Sequence, residues 1–245
     1  MKDINIPASR FSTNSRVVFF TGAGISAESG ISTFRDIDGY WSKYDPTKLA
    51  SPQGFDEDPD LVLQWYAARR KKIKKARPNK AHLAISDFQK LFTDSMVITQ
   101  NVDGLHWQAG NAPVLELHGN IHREKCFTCG RPGSEVASTK GAKSYCTCGG
   151  LMRPNVVWFG ESLAMSTLSD AFEATRQCDI FFTIGTSALI YPAAQLPYEA
   201  RNTGAFVIEV NPEETPFSEA ADLSVRGKAG EILPKIFREF NAAIS

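Results

Sequence analysis

Four short apolar runs, each stopping at a polar or glycine-bearing segment, constrain this chain more than any other feature. Val17-Val18-Phe19-Phe20 stops at Thr21-Gly22, and Ser95-Met96-Val97-Ile98-Thr99 stops at Gln100-Asn101. Ile180-Phe181-Phe182-Thr183-Ile184 stops at Gly185-Thr186-Ser187, and Ala205-Phe206-Val207-Ile208-Glu209-Val210 stops at Asn211-Pro212. Short continuous apolar runs bounded by turn residues read as strands buried on both faces. Helix-like stretches lie between them at 59–76, 80–91 and 168–177. Buried strands alternating with helices predict an α/β fold, a Rossmann-like doubly wound parallel sheet with helices on both faces. Ligands of such sheets sit at the carboxyl ends of the strands, where all four polar segments fall, so these segments are predicted to share one site. Only the extreme ends look loosely tethered.

Residues 125 to about 151 break this rhythm. They are rich in Gly, Ser and Cys and poor in large aliphatics, so they read as an insert held by something other than a core. Four of the five cysteines lie here, as Cys126-x2-Cys129, sixteen residues, then Cys146-x-Cys148; the fifth, Cys178, stands in an apolar setting. Such clustering reads as metal binding before disulfides. Four thiolates can surround Zn²⁺ tetrahedrally and leave no open position, which makes the site structural. Two unrelated thiol pairs are the plainer alternative. A zinc ribbon can also bind nucleic acid, but 27 Lys+Arg balance 27 Asp+Glu, which argues against a dedicated polyanion binder. No apolar stretch is long enough to span a bilayer, and residues 1–16 lack the apolar core of a secretory signal, so a cytoplasmic location is expected.

Gly22-Ala23-Gly24-Ile25-Ser26-Ala27 follows a predicted strand and fits G-x-G-x-x-G/A, in which glycines let backbone N–H groups approach a pyrophosphate. A tight strand-to-helix turn is the plainer alternative. The second half of a dinucleotide fold, a strand ending in a ribose-binding acid about twenty residues on, is missing. In its place stand Ser32-Thr33-Phe34-Arg35-Asp36 and Gly39-Tyr40-Trp41, a polar-aromatic loop, and a dehydrogenase is disfavoured. Thr99-Gln100-Asn101-Val102-Asp103-Gly104-Leu105-His106 could recognise a carboxamide and ribose hydroxyls, or be a turn capped by Asn and Asp. His118 precedes Gly119, and with four histidines present its position alone does not single it out. On the 59–76 helix, Val62, Tyr66, Arg69 and Ile73 share one stripe, so Arg69 faces inward, whereas Arg70, Lys71, Lys72, Lys74 and Lys75 read as a solvated basic face. An inward guanidinium needs an internal carboxylate or an anionic ligand beside the Tyr66 hydroxyl.

Together these segments resemble the sirtuin family, from Val17 to about Pro234. The resemblance is carried by Gly22-Ala23-Gly24-Ile25-Ser26 with Ser29-Gly30-Ile31, by Phe34-Arg35, by Pro78-Asn79-x-Ala81-His82, and by the run from Thr99 to His106. Leu117-His118-Gly119, the cysteine quartet, Arg153-Pro154-x-Val156-Val157-Trp158-Phe159-Gly160-Glu161, Gly185-Thr186-Ser187 and Val210-Asn211 continue it. The resemblance implies an NAD-binding domain (1–34 with 77–120 and 162–245) and a smaller inserted zinc-binding domain. The latter combines a cofactor-covering loop and helical module (35–76) with a zinc-ribbon module (121–161). It implies NAD as co-substrate, one structural Zn²⁺ on Cys126, Cys129, Cys146 and Cys148, and His118 as general base. Cofactor contacts would come from Gly22, Ala23, Gly24, Ile25, Ala27, Phe34, Arg35, Trp41, Gln100, Asn101, Val102, Asp103, Gly185, Thr186, Ser187, Asn211, Pro212 and Ala229. Acyl-lysine proteins or peptides would bind as an added strand along Val157, Trp158, Phe159, Gly160 and Glu161, opposite Tyr191. The implied reaction moves the acyl group from lysine to ADP-ribose and releases nicotinamide. Tyr66-Ala67-Ala68-Arg69 fits the Tyr-x-x-Arg pair of one subgroup, implying a preference for succinyl- or malonyl-lysine. Plain deacetylation and protein ADP-ribosyl transfer are the alternatives; no direct nucleic-acid contact is expected.

Overall fold

The computed structural model describes residues 6–31, 44–135 and 141–244. In chain order its strands are β1 (Val17–Thr21), β2 (Ser95–Thr99), β3 (Val114–Glu116), β4 (Gly119–Cys126), β5 (Pro132–Glu135), β6 (Met152–Val156), β7 (Ile180–Ile184), β8 (Phe206–Asn211) and β9 (Leu223–Arg226). The α-helices are α1 (Ala23–Ala27), α2 (Pro46–Leu49), α3 (Pro52–Glu57), α4 (Pro59–Ile73), α5 (Lys80–Leu91), α6 (Leu105–Gln108), α7 (Met165–Gln177), α8 (Leu196–Asn202) and α9 (Ala229–Ile244).

Every residue of β1 and β7 is buried, as the unbroken apolar runs require. β1 pairs in parallel with β2 on one side and β7 on the other, with Phe19 opposite Val97 and Phe182. The six-stranded order is β3-β2-β1-β7-β8-β9. The chain winds outward from β1 to β3, then restarts beside β1 and winds the other way. The crevice at the carboxyl ends of β1 and β7 is therefore the topological switch point. Among the described residues, the strand that follows β1 is β2; the polar-aromatic segment expected in place of a ribose-binding strand lies outside the described residues.

Strand alternation sends Val17 and Phe19 into a core shared with α5 and α9, and Val18 and Phe20 into one shared with α7 and α8. Phe19 stacks on Phe182 at 5.0 Å, and Phe88 of α5 meets Phe240 of α9 at 5.9 Å. That second contact corrects the expectation of a loose C-terminus. α9 carries the chain to Ile244 with Leu233, Ile236 and Phe240 fully buried. Gly230 and Pro234 punctuate its sequence, but its i, i+3, i+4 apolar stripe covers the sheet.

The second sheet, β5-β4-β6, is antiparallel. It packs with α2, α3 and α4 around Phe55, Trp65, Tyr66, Ile121, Val156 and Trp158. α4 starts at Pro59 behind an Asp58 cap and ends at Ile73, three residues short of the expected stretch. Val62, Tyr66 and Ile73 are buried as their stripe requires, and Arg69 is partly buried. Arg70 departs from the expected solvated face: only 3% of it is exposed. α4 is covered on a wider arc than one stripe, so Leu63, Ala67 and Arg70 turn inward as a second row beside Glu124 of β4.

Candidate functional site

The switch-point crevice is built from turns that only glycine permits. A Cβ on Gly22 would lie 2.8 Å from the Gly185 carbonyl and from Thr186, and one on Gly24 would lie 2.7 Å from the Gly185 Cα. The Gly24 N–H donates to the Gly185 carbonyl at 2.8 Å, so the β1 and β7 turns close on each other backbone to backbone. α1 starts immediately after, with Ile25 buried in the core and Ala23 and Ala27 exposed.

The segment after β2 meets these turns through side chains. Asn101 Nδ2 donates to the Gly22 carbonyl at 3.0 Å and to Ser26 Oγ at 3.1 Å. Ser26 Oγ donates in turn to Asp103 Oδ2 at 2.7 Å, while Asp103 Oδ1 accepts the Leu105 N–H at 2.9 Å. Asn101 and Asp103 are buried, held as a preorganised polar pair. Ser26 is the member whose role the sequence left unassigned, because a serine at a strand-to-helix turn is ordinary turn chemistry. Gln100 Nε2 reaches Thr186 Oγ1 at 2.9 Å, and Asn211 Nδ2 donates to the Thr186 carbonyl at 2.8 Å. Gln100, Thr186 and Asn211 thus gather along one edge, with Ser187 and Pro212 exposed beside them. Ala229 opens α9, where Glu28 accepts the Gly230 N–H at 2.8 Å and ties α9 to the end of α1. Val102 points away from this edge, into the core around the small sheet. Phe34, Arg35 and Trp41 lie outside the described residues.

His118 sits in the turn between β3 and β4, where the large sheet hands over to the small one. Its Nδ1 lies 2.9 Å from the Gln100 carbonyl, which only accepts, so Nδ1 carries the proton and Nε2 is left as a base. Burial lowers its pKa below the ordinary imidazole value, and the bond to Gln100 opposes that shift in part. The other histidines are committed elsewhere. His82 and His106 are buried side by side, rings 4.9 Å apart, and His122 Nε2 faces the Asp103 carbonyl at 3.2 Å.

The His118 carbonyl accepts the Val157 N–H at 2.9 Å, placing the 157–161 segment against the histidine. This segment is irregular: the N–H groups of Trp158, Phe159 and Glu161 go to Glu161, Ala50 and Trp158 within the chain. Phe159 and Tyr191 are exposed, whereas the Trp158 ring is buried and donates its Nε1–H to the Tyr66 hydroxyl at 2.7 Å. Burial raises the pKa of Tyr66 and lowers that of Arg69, whose guanidinium lies 5.0 Å over the Trp65 ring.

The cysteine quartet converges as its spacing predicts. Sγ atoms of Cys126 and Cys148 are 3.5 Å apart, those of Cys129 and Cys146 3.8 Å, and those of Cys129 and Cys148 3.5 Å. All four thiols are free, and their sulfurs lie within 4.8 Å of one another. A tetrahedron with metal–thiolate bonds of about 2.3 Å has edges of about 3.8 Å, so the donor set fits Zn²⁺. The short Cys146-x-Cys148 pair reaches the shared point because a Cβ at Gly150 is absent; it would lie 2.8 Å from Cys126 Sγ.

A parallel sheet wound outward from a glycine-tight switch point, joined through a histidine-bearing turn to a four-thiolate module, defines a nucleotide-binding α/β protein with a structural metal centre. The model of the Sir2 family matches residues 22–192, and the chain belongs to that family. It is 48% identical over 226 residues to an NAD-dependent protein deacylase of Aquifex aeolicus (strain VF5), covering 91% of this chain and 95% of that protein. A protein of the same description from Pyrococcus furiosus is 45% identical over 233 residues, 92% of this chain and 93% of that one. Among solved structures, a Sir2 homologue–NAD complex superposes with TM-score 0.88 at 44% identity, covering 95% and 92% of the two chains. A Sir2 homologue mutant with 2′-O-acetyl-ADP-ribose superposes with TM-score 0.90 at 43% identity, covering 98% of each. No helix among the described residues is long and apolar enough to cross a membrane.

Proposed function

We infer that this chain is an NAD-dependent protein lysine deacylase, and we propose that it favours acyl groups ending in a carboxylate. The observation that carries the activity is the tautomer-locked His118, set where the Asn101–Ser26–Asp103 network meets the 157–161 segment. Bound NAD supplies an activated anomeric carbon with nicotinamide as leaving group. Asn101 and Asp103 orient its carboxamide and ribose with groups that are already fixed, so little ordering is left for binding. Gln100, Gly185, Thr186, Ser187, Asn211, Pro212 and Ala229 take the adenosine half, and the 22–27 turn with Phe34, Arg35 and Trp41 takes the pyrophosphate and covers the ribose. His118 Nε2 accepts the ribose hydroxyl proton during acyl transfer. Val157, Trp158, Phe159, Gly160, Glu161 and Tyr191 receive the acyl-lysine peptide as an added strand. Cys126, Cys129, Cys146 and Cys148 hold one Zn²⁺ that ties the small module together and leaves no open position. The division into an NAD domain (1–34, 77–120, 162–245) and two small-domain modules (35–76, 121–161) belongs to this reading, and free thiols poised for metal suit a reducing cytoplasm.

The acyl preference rests on Tyr66 and Arg69, one turn apart on α4, with the Tyr66 hydroxyl bonded to Trp158 of the peptide segment and the Arg69 guanidinium over the Trp65 ring. A guanidinium–carboxylate hydrogen bond contributes roughly 1.5–3 kcal/mol, about ten- to a hundredfold in selectivity. Plain deacetylation is the second reading, favoured by a Sir2 structure bound to an acetylated peptide at TM-score 0.80 and 31% identity. Turnover of one peptide carrying acetyl-, succinyl- or malonyl-lysine, by wild type and Arg69→Met, separates them. The proposal expects acidic acyl groups to win and Arg69→Met to erase that advantage alone. Acetyl winning with selectivity unchanged by Arg69→Met would make Arg69 a structural residue.

A further inference from the structure

Trp158 belongs to two places at once. Its backbone lies in the segment assigned to the peptide, and its ring is buried against Tyr66 of α4, with only 2% of Trp158 and 1% of Tyr66 exposed. An indole N–H can donate but never accept. At 2.7 Å the Tyr66 oxygen must therefore accept from Trp158 Nε1, and the single proton of Tyr66 has to point elsewhere. No described residue accepts that proton by hydrogen bond. Burial first, partly offset by the nearby Arg69, raises the pKa of Tyr66, so the hydroxyl keeps its proton at any working pH. A spare buried donor one turn from a guanidinium matches a carboxylate, which offers acceptors to both; an acetyl methyl offers none.

The ring is in turn clamped. The Arg153 guanidinium lies 3.8 Å from the Trp158 ring centroid, donates from Nη1 to the Val156 carbonyl at 3.0 Å, and pairs with Glu161. Glu161 Oε2 also accepts the Trp158 N–H at 2.8 Å. Phe55 closes another side with its ring centroid at 5.3 Å. The indole N–H thus has a fixed direction.

We propose that Trp158 is a positioning residue for acyl selection, its indole N–H orienting the Tyr66 hydroxyl as a donor toward an acidic acyl group. This rests on the acidic-acyl reading above. The test measures kcat and KM for succinyl- and acetyl-lysine peptides with Trp158→Phe, Tyr66→Phe and the double variant. Benzothienylalanine at position 158, which keeps the indole shape without the N–H, serves if Trp158→Phe does not fold. Loss of one neutral hydrogen bond predicts a two- to tenfold fall in the succinyl-to-acetyl ratio of kcat/KM, roughly the range such bonds cover. The fall should appear mainly in the succinyl KM and should vanish in the Tyr66→Phe background. An unchanged ratio, equal losses on both substrates, or an undiminished effect in the Tyr66→Phe background would overturn the proposal. Failure of the acidic-acyl reading itself looks different: the wild type then shows no succinyl advantage for any variant to remove.

Discussion

At the scale of single residues, hydrogen-bond direction decides more than proximity. His118 and His122 are both partly buried and both bond a backbone carbonyl, yet only His118 lies in the turn that meets the 157–161 segment. Because desolvation lowers the pKa of His118, its base form persists below an imidazole's ordinary value of about 6.5. The acid limb of kcat/KM against pH is therefore expected to have its midpoint below about 6.5, and His118→Ala to remove deacylation while leaving ADP-ribose binding in place. A midpoint at or above that value, read from initial rates with saturating NAD, would assign the limb to another group. Legibility was uneven at this scale. Asn101 and Asp103 stood out by type and by position after a strand and His118 only through the family resemblance, whereas Ser26 and the burial of Arg70 depend on neighbours 75 or more and over 50 positions away in the chain.

At the scale of elements, the two sheets are stabilised by different means. The large one has apolar cores on both faces; the module around β4, β5 and β6 gathers its far end around four sulfurs rather than a packed interior. Sequestering metal should therefore loosen that module before the large sheet. Cys126→Ser is expected to abolish bound zinc, measured by elemental analysis, and to speed amide exchange across β4, β5 and β6 while β1, β2 and β7 stay protected. Uniform loss of protection would show that the two sheets unfold as one unit. The cysteine spacing announced this element, but the strands around it were hidden, because β4 carries charged and polar residues that only pairing with β6 places in register.

For the whole molecule, the histidines act in concert. Burial is the largest cause of a lowered pKa for all four, with His82 pushed down to about 3. Folded values lie below the unfolded value of about 6.5, so the unfolded chain binds more protons as pH falls through that range. Stability is thus fully present above about pH 6.5 and lost progressively toward the folded values. The slope approaches about 1.4 kcal/mol per pH unit for each histidine that titrates. Urea unfolding from about pH 7 down to about pH 5 should show this loss ahead of the carboxylate range, and a flat profile would refute it. The parallel sheet, the positions of its polar strand ends and the thiolate quartet were legible in the amino-acid order alone. Each of these is written in local periodicity or spacing, which neighbouring residues enforce without help from afar. The order of the strands, the docking of α9, the tautomer of His118 and the inward turn of Arg70 came from the packed fold instead. Those depend on which distant groups exclude water from a given side chain, and exclusion of water is a property of the packed molecule rather than of any stretch of chain.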